Sequence, residues 1–172
     1  MATVIRTVEA ADLPAVFRLN EAALPHVNSL PVTEFDRLRD EAAYFKVAED
    51  AEDRGVILGV TICFLPGALY GSMNYRWFSA RFASFLYVDR IIVDPAAHGR
   101  GVGRGFYADV EDFARSQADL LTCEVNTRPP NERSLRFHHA WGFREVGTQV
   151  TEGGAKAVSL LAKPLRPGAQ GV

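Results

Sequence analysis

Apolar and polar positions along the 172-residue chain change period several times, and each change marks an element. Thr3 to Val8 alternates as a strand does. Beyond Asp12, whose carboxylate suits a helix cap, Leu13, Val16, Phe17 and Leu19 recur at helical spacing, with Pro14 in the first turn. Leu24 to Pro31 breaks the pattern, and Thr33 opens a second helix carrying Phe35 and Leu38. Tyr44 to Ala48 and Val56 to Leu65 read as strands around a charged turn and predict a hairpin. A loop over Pro66 to Ala83 leads to an apolar strand, Phe85 to Val93. A helix follows from about Gly103 to Gln117, with Phe106, Val110 and Phe113 on its buried face. Leu120 to Val125 reads as a strand, Asn131 to Trp141 as a helix, Phe143 to Val150 and Ala157 to Ala162 as closing strands, and Leu165 to Val172 as a flexible Gly/Pro-rich tail. The order βααβββαβαββ predicts a mixed α/β (α+β) fold, a central, mostly antiparallel twisted sheet flanked by about four helices.

Composition narrows the partners. With 48% hydrophobic residues the chain can bury one substantial core, and a single domain over residues 1–164 is expected. A formal charge of −2 gives no global attraction to nucleic acid or to an acidic membrane surface, so an anion site has to be built locally. MATVIRTVEA lacks a secretion pattern, and no apolar run approaches the ~18 residues of a membrane span, so a cytoplasmic location is expected. Cys63 and Cys123 lie in apolar strand-like segments and read as reduced core residues; no metal site is assigned.

The segment FLYVDRIIVDPAAHGRGVGRG carries the chemistry. An apolar strand runs into a turn in which Gly99, Gly101, Gly103 and Gly105 alternate with other residues just before a helix, an arrangement that points main-chain N–H groups at an anion. Arg100 and Arg104 add charge, and the whole reads as a pyrophosphate cradle. A Walker loop needs Lys followed by Ser or Thr after the last glycine, and neither is here. The dinucleotide pattern GxGxxG also fails, since Arg104 or Phe106 occupies its last position. Glu124 does stand near the ~20-residue spacing of a ribose-binding acid, so nucleotide binding stays as the alternative.

HGRGVG at positions 98–103, preceded by IIVDP and followed by a helix, resembles the acyl-CoA loop of the GNAT-type N-acetyltransferases, with His98 where that family usually has Arg or Gln. Asn131, Ser134, His138, Gly142 and Phe143 fall at the spacing of the family's second signature, with His138, next to Phe137, where a tyrosine is common. The resemblance implies acetyl-CoA as cofactor. Its pyrophosphate would lie on His98, Gly99, Arg100, Gly101, Val102, Gly103 and Arg104. Pantetheine would pair with main-chain groups of Ile91, Ile92 and Val93 after the manner of an added strand, with Asn126, Asn131, Ser134, Phe137 and His138 as further contacts. A main-chain N–H near Ile91 or Ile92 would hold the developing oxyanion.

Transfer to an amine also needs a proton acceptor. Period-two alternation puts Tyr87, Asp89, Ile91 and Val93 on one face, making Asp89 the first candidate base; Glu124 is the second, and a water relayed by main-chain carbonyls or Asn126 the third. An ion pair with Arg90 or with another strand's arginine is the alternative for Asp89. In the place of the family tyrosine, His138 as a cation could protonate the leaving thiolate, while packing of its ring is the plainer reading; His139 turns away by helix geometry. Asn131 suits a helix cap. Tyr70, Tyr75, Trp77, Phe78 and Phe82, with Arg76 and Arg81, read as an acceptor wall joined by Tyr87, as core cover, or as a homodimer contact. Asn20, Glu21 and Asn28 are further polar candidates. The function expected is an acetyl-CoA-dependent N-acetyltransferase moving an acetyl group to a primary amine of a small molecule or peptide in a ternary complex. A non-catalytic acyl-CoA or nucleotide-binding module is the alternative.

Overall fold

The computed structural model describes residues 3–166, so the expected tail lies outside it apart from Leu165 and Arg166. The elements are β1 (Thr3–Thr7), α1 (Leu13–Ala22), α2 (Val32–Glu41), β2 (Tyr44–Asp50), β3 (Ile57–Phe64), α3 (Met73–Ser79), β4 (Phe85–Val93), α4 (Val102–Ala114), β5 (Leu120–Arg128), α5 (Glu132–Ala140), β6 (Arg144–Thr151) and β7 (Lys156–Pro164). They form a mixed α/β fold on a seven-stranded sheet in the order β1-β2-β3-β4-β5-β7-β6. β4 and β5 are parallel, while β1–β2, β2–β3, β5–β7 and β6–β7 are antiparallel. Among the described residues no helix is long and apolar enough to cross a membrane.

α3 corrects the expected element order, because it lies inside the stretch read as a loop. Ser72 caps it, its Oγ accepting the Tyr75 N–H at 3.3 Å, and Tyr75 and Phe78, three residues apart, bury one short face. Two helical turns rich in aromatics carry too few residues to show a period. Asp12 also departs from expectation. Its carboxylate does not cap α1 but turns back to the Arg6 guanidinium, at 2.7 and 2.9 Å, and to the Glu9 N–H at 2.8 Å.

The described residues gather into two compact units, one taking the chain up to Phe64 together with Arg90–Phe113, the other Leu65–Asp89 and the chain from Ala114 onward. Each has its own core. In the first, Val16, Phe35 and Leu38 are fully buried, and Val102 and Phe106 of α4 pack with Ala48, Leu58 and Ala97. β3 passes close beneath this cluster. A Cβ on Gly59 would stand 2.7 Å from the Ile92 carbonyl oxygen and 2.9 Å from the Phe106 ring, so only glycine fits. Tyr44 Oη and Lys46 Nζ donate to Asp109 at 2.5 and 2.6 Å, fixing α4 to β2. In the second unit, Tyr75 and Phe78 pack their rings against Phe85 and Tyr87 at centroid distances of 5.6 to 6.3 Å. Trp77 lies against Gly147, where a Cβ would approach the indole to 2.6 Å.

Candidate active site

The cradle belongs to the first unit. At the end of β4 the chain turns through Asp94, whose carboxylate accepts the Ala96 N–H at 2.8 Å and whose own N–H donates to Leu58 O at 2.8 Å. His98 Nε2 donates to Val93 O at 3.1 Å and ties the loop to the strand. Gly99 and Gly101 then adopt φ of +79° and +83°, left-handed values that L side chains disfavour. A Cβ on either would meet nothing within 4 Å, so open space lies beside both. α4 starts at once and runs for 13 residues.

Helix geometry leaves the first N–H groups without intrahelical acceptors, and here those belong to Gly101, Val102, Gly103 and Arg104. The amides on either side of these four already have acceptors. The Arg100 N–H donates to Ala97 O at 3.2 Å, and the Gly105 N–H to Gly101 O at 2.9 Å. Arg100 differs in its charge as well, since its guanidinium pairs with Asp50 at 3.0 Å, whereas Arg104 is exposed in the first turn of α4. Four convergent amides, a helix N-terminus and open space beside two glycines fit a pyrophosphate. Val102 and Ile92 are buried, and Ile91 and Val93 pack on the core while half-exposed, so what these four can present to a ligand is main chain.

β4 alternates past this point as expected, Asp89, Ile91 and Val93 being half-exposed and Arg90 and Ile92 buried. Arg90, on the buried side, reaches into the first unit. Its Nη1 donates to Asn20 Oδ1 at 2.6 Å, and its guanidinium lies 5.9 Å from the Phe35 ring. Asn20 is fully buried and its Nδ2 donates to Asn28 O at 3.0 Å, so both ends of the amide serve the fold rather than a ligand.

In the second unit, Asp89 Oδ1 accepts the Tyr70 hydroxyl at 2.5 Å. Tyr87 is fully buried beside it, 3.4 Å from Ser72 Oγ. Burial first, then the nearby charges of Glu124 and Asp89, push the Tyr87 pKa well above its ordinary value, so its hydroxyl stays protonated. On β5, Thr122, Glu124 and Asn126 alternate along one face, a polar row interleaved with Leu121, Cys123 and Val125. Thr122 Oγ1 and Asn126 Nδ2 are buried without a hydrogen-bond partner among the described residues. Sequence reasoning passed over Thr122, although the period-two row was visible. Tyr75, Phe78 and Tyr87 are buried core residues, which favours core cover over an acceptor wall for these three. Trp77 is half-buried under Arg81, whose guanidinium sits 4.0 Å from the indole.

α5 opens on Asn131, whose side chain accepts the Ser134 N–H at 3.2 Å. His138 is buried, its Nδ1 2.7 Å from Ser134 O and 3.2 Å from Ser134 Oγ, its ring edge-on to Phe143. A carbonyl only accepts, so Nδ1 carries the proton and Nε2 is the remaining site. Burial holds the His138 pKa below 6.5, the Ser134 carbonyl opposing it, so the cation expected from its position is disfavoured. Phe137 stacks on Trp141 at 5.9 Å.

A glycine turn with two left-handed residues at a helix N-terminus, directly after a strand, is the form of an acyl-CoA loop. The chain belongs to the acetyltransferase (GNAT) family, whose profile matches residues 13–143 and whose acyl donor is acetyl-CoA. Over 58 residues it is 43% identical to phosphinothricin N-acetyltransferase of Streptomyces coelicolor, covering 34% of this chain and 33% of that protein, so the match spans about a third of the relative. The ribosomal-protein-S18-alanine N-acetyltransferase of Escherichia coli superposes with a TM-score of 0.71 at 17% identity over 99% of both chains. YncA of Salmonella typhimurium, solved with its cofactor acetyl-CoA, gives 0.71 at 20% identity over 100% of this chain and 99% of its own. At these identities the likeness is one of fold.

Proposed function

We propose that this protein is an acetyl-CoA-dependent N-acetyltransferase that moves the acetyl group to a primary amine of a small molecule or peptide by direct attack in a ternary complex. The observation that carries this reading is the pair Gly99 and Gly101, both left-handed and both bordering open space, at the start of α4. The profile match runs through both units, and we take residues 1–164 as one acyltransferase domain.

Acetyl-CoA supplies the activated thioester. The amides of Gly101, Val102, Gly103 and Arg104 would hold its pyrophosphate, and the main chain of Ile91, Ile92 and Val93 its pantetheine. A main-chain N–H at Ile91 or Ile92 stabilises charge on the carbonyl oxygen during attack, a contact commonly worth ~2.7–4 kcal/mol. The amine nitrogen bonds to the acyl carbon, the C–S bond breaks, the nitrogen's proton leaves to a base, and the sulfur takes a proton as it departs. Asp89 is the base, its carboxylate oriented by Tyr70. His138 packs the end of α5 as a neutral imidazole, and water protonates the thiolate. Both cysteines are buried thiols within strands, a state that suits the cytoplasm, where we place the enzyme.

The test is thermal stability with and without acetyl-CoA, followed by CoA thiol release against a panel of amines. Stabilisation with release supports the transferase. Stabilisation without release from any amine would leave only a binding module, and Asp89→Asn turning over normally across pH would remove Asp89 as base.

A further inference from the structure

The parallel register of β4 and β5 sets Tyr87 beside Thr122 and ends at Val88↔Cys123. On the face that Tyr87 and Thr122 share, the next residues are Asp89 and Glu124, one from each strand, and Asn126 follows on β5. Two carboxylates thus follow the same end of the paired segment, one on each strand. Their shared influence on the Tyr87 hydroxyl agrees with that placement. Tyr70 holds one of them from the side.

Asn126 gives the independent observation. It is 7% exposed, its main-chain carbonyl accepts the Asn131 N–H at 3.0 Å, and the β5–β7 register shifts between Asn126 and Arg128. Its Nδ2, however, has no acceptor among the described residues. A buried donor left unpaired weakens the fold, and an apolar residue of the same shape would avoid the penalty. Its presence beside two carboxylates points to an acceptor oxygen that arrives with a ligand.

We propose that Asp89, Glu124 and Asn126 form an acceptor site for α-amino amides, the chemical class of a peptide N-terminus. The ammonium lies with the two carboxylates, and the adjacent amide carbonyl accepts from Asn126 Nδ2. This rests on the acetyltransferase reading above. A free amino acid would bring a third carboxylate against Asp89 and Glu124, and a plain alkylamine would leave Asn126 Nδ2 unsatisfied. In the transfer the ammonium gives one proton to Asp89, its nitrogen bonds to the acyl carbon as the C–S bond breaks, and the second displaced proton goes to solvent while the thiolate is protonated.

Alaninamide, isopropylamine and alanine form a matched trio, equal in branching and differing only in the group beside the amine. CoA thiol release at saturating acetyl-CoA is expected to give alaninamide a kcat/KM at least about tenfold above isopropylamine, with alanine lowest. Asn126→Leu, or Asn126→Ala should the first fail to fold, brings the alaninamide-to-isopropylamine ratio close to unity. Glu124→Gln narrows the gap between alaninamide and alanine. Ratios between acceptors cancel any change in donor binding. Alanine used as well as alaninamide, or a full ratio in folded Asn126→Leu and Asn126→Ala, overturns the site. Release with none of the three from a protein that acetyl-CoA stabilises also overturns it and leaves donor binding standing; absence of that stabilisation instead strikes the reading beneath.

Discussion

Gly101→Ala separates the cradle's backbone role from its role in stability. The residue sits at φ +83°, and a Cβ there meets nothing within 4 Å, so the free protein suffers conformational strain but no clash. That strain is roughly 1–2 kcal/mol. At about 2–4 °C per kcal/mol for a chain of this size, the melting temperature should fall by roughly 2–8 °C. The larger effect concerns the ligand, because the new methyl occupies the space that a phosphate oxygen needs beside the amides. Acetyl-CoA at about 100 times its dissociation constant stabilises wild type by ~2.7 kcal/mol, and a tenfold weaker site would retain only ~1.4 kcal/mol at the same concentration. Gly105→Ala is the control. It lies inside α4, its Cβ would come 3.4 Å from Ile5 Cδ1, and alanine in a helix interior gains up to ~1 kcal/mol over glycine. Melting curves with and without acetyl-CoA should show Gly105→Ala keeping the ligand shift and Gly101→Ala losing about half of it. A full shift in Gly101→Ala would refute the placement of the pyrophosphate.

Gly59→Ala should destabilise by ~1–3 kcal/mol, because its Cβ would press on the Ile92 carbonyl oxygen and the buried Phe106 ring; a denaturant midpoint at or above wild type would contradict this packing. His138 has its folded-state pKa held below the ordinary 6.5, so the unfolded chain binds the proton more readily and stability is full above pH 6.5 and lost as pH falls. His138→Phe should accordingly lose less melting temperature than wild type between about pH 7.5 and 5.5, and an equal loss would show the imidazole to be solvated. Thr122→Val replaces an unpartnered buried hydroxyl with a methyl of the same shape and should leave the melting temperature unchanged or higher; a fall would reveal a partner for that oxygen.

Those features of the site that depend on neighbours along the chain are legible in the order of residues alone. β4, the glycine turn and the start of α4 follow from an apolar run, alternating glycines and a 3.6-residue period, and the cap at Asn131 follows from residue type. Features that depend on distant partners are not. Asp50 at the end of β2 neutralises Arg100, Asn20 receives Arg90 rather than facing a ligand, and Tyr70 reaches Asp89 across an intervening helix. His138 shows the same divide: its spacing places it in the signature, but only packing reveals a buried neutral ring. α3 escapes a reading by pattern because a helix of two turns built from aromatics has no polar face long enough to show one.

Trp77, seated on Gly147 beneath Arg81, and Trp141, stacked on Phe137 with Lys163 Nζ 5.5 Å from its ring, are the chain's two tryptophans, and both belong to the second unit. Indole fluorescence therefore reports on one half of the molecule alone, while far-ultraviolet dichroism senses the helices and strands of both. Coincident melting by the two signals would mark the units as one cooperative structure, and separated transitions would give each its own stability. The placement of two indoles thus turns an ordinary spectrometer into a regional probe without any added label.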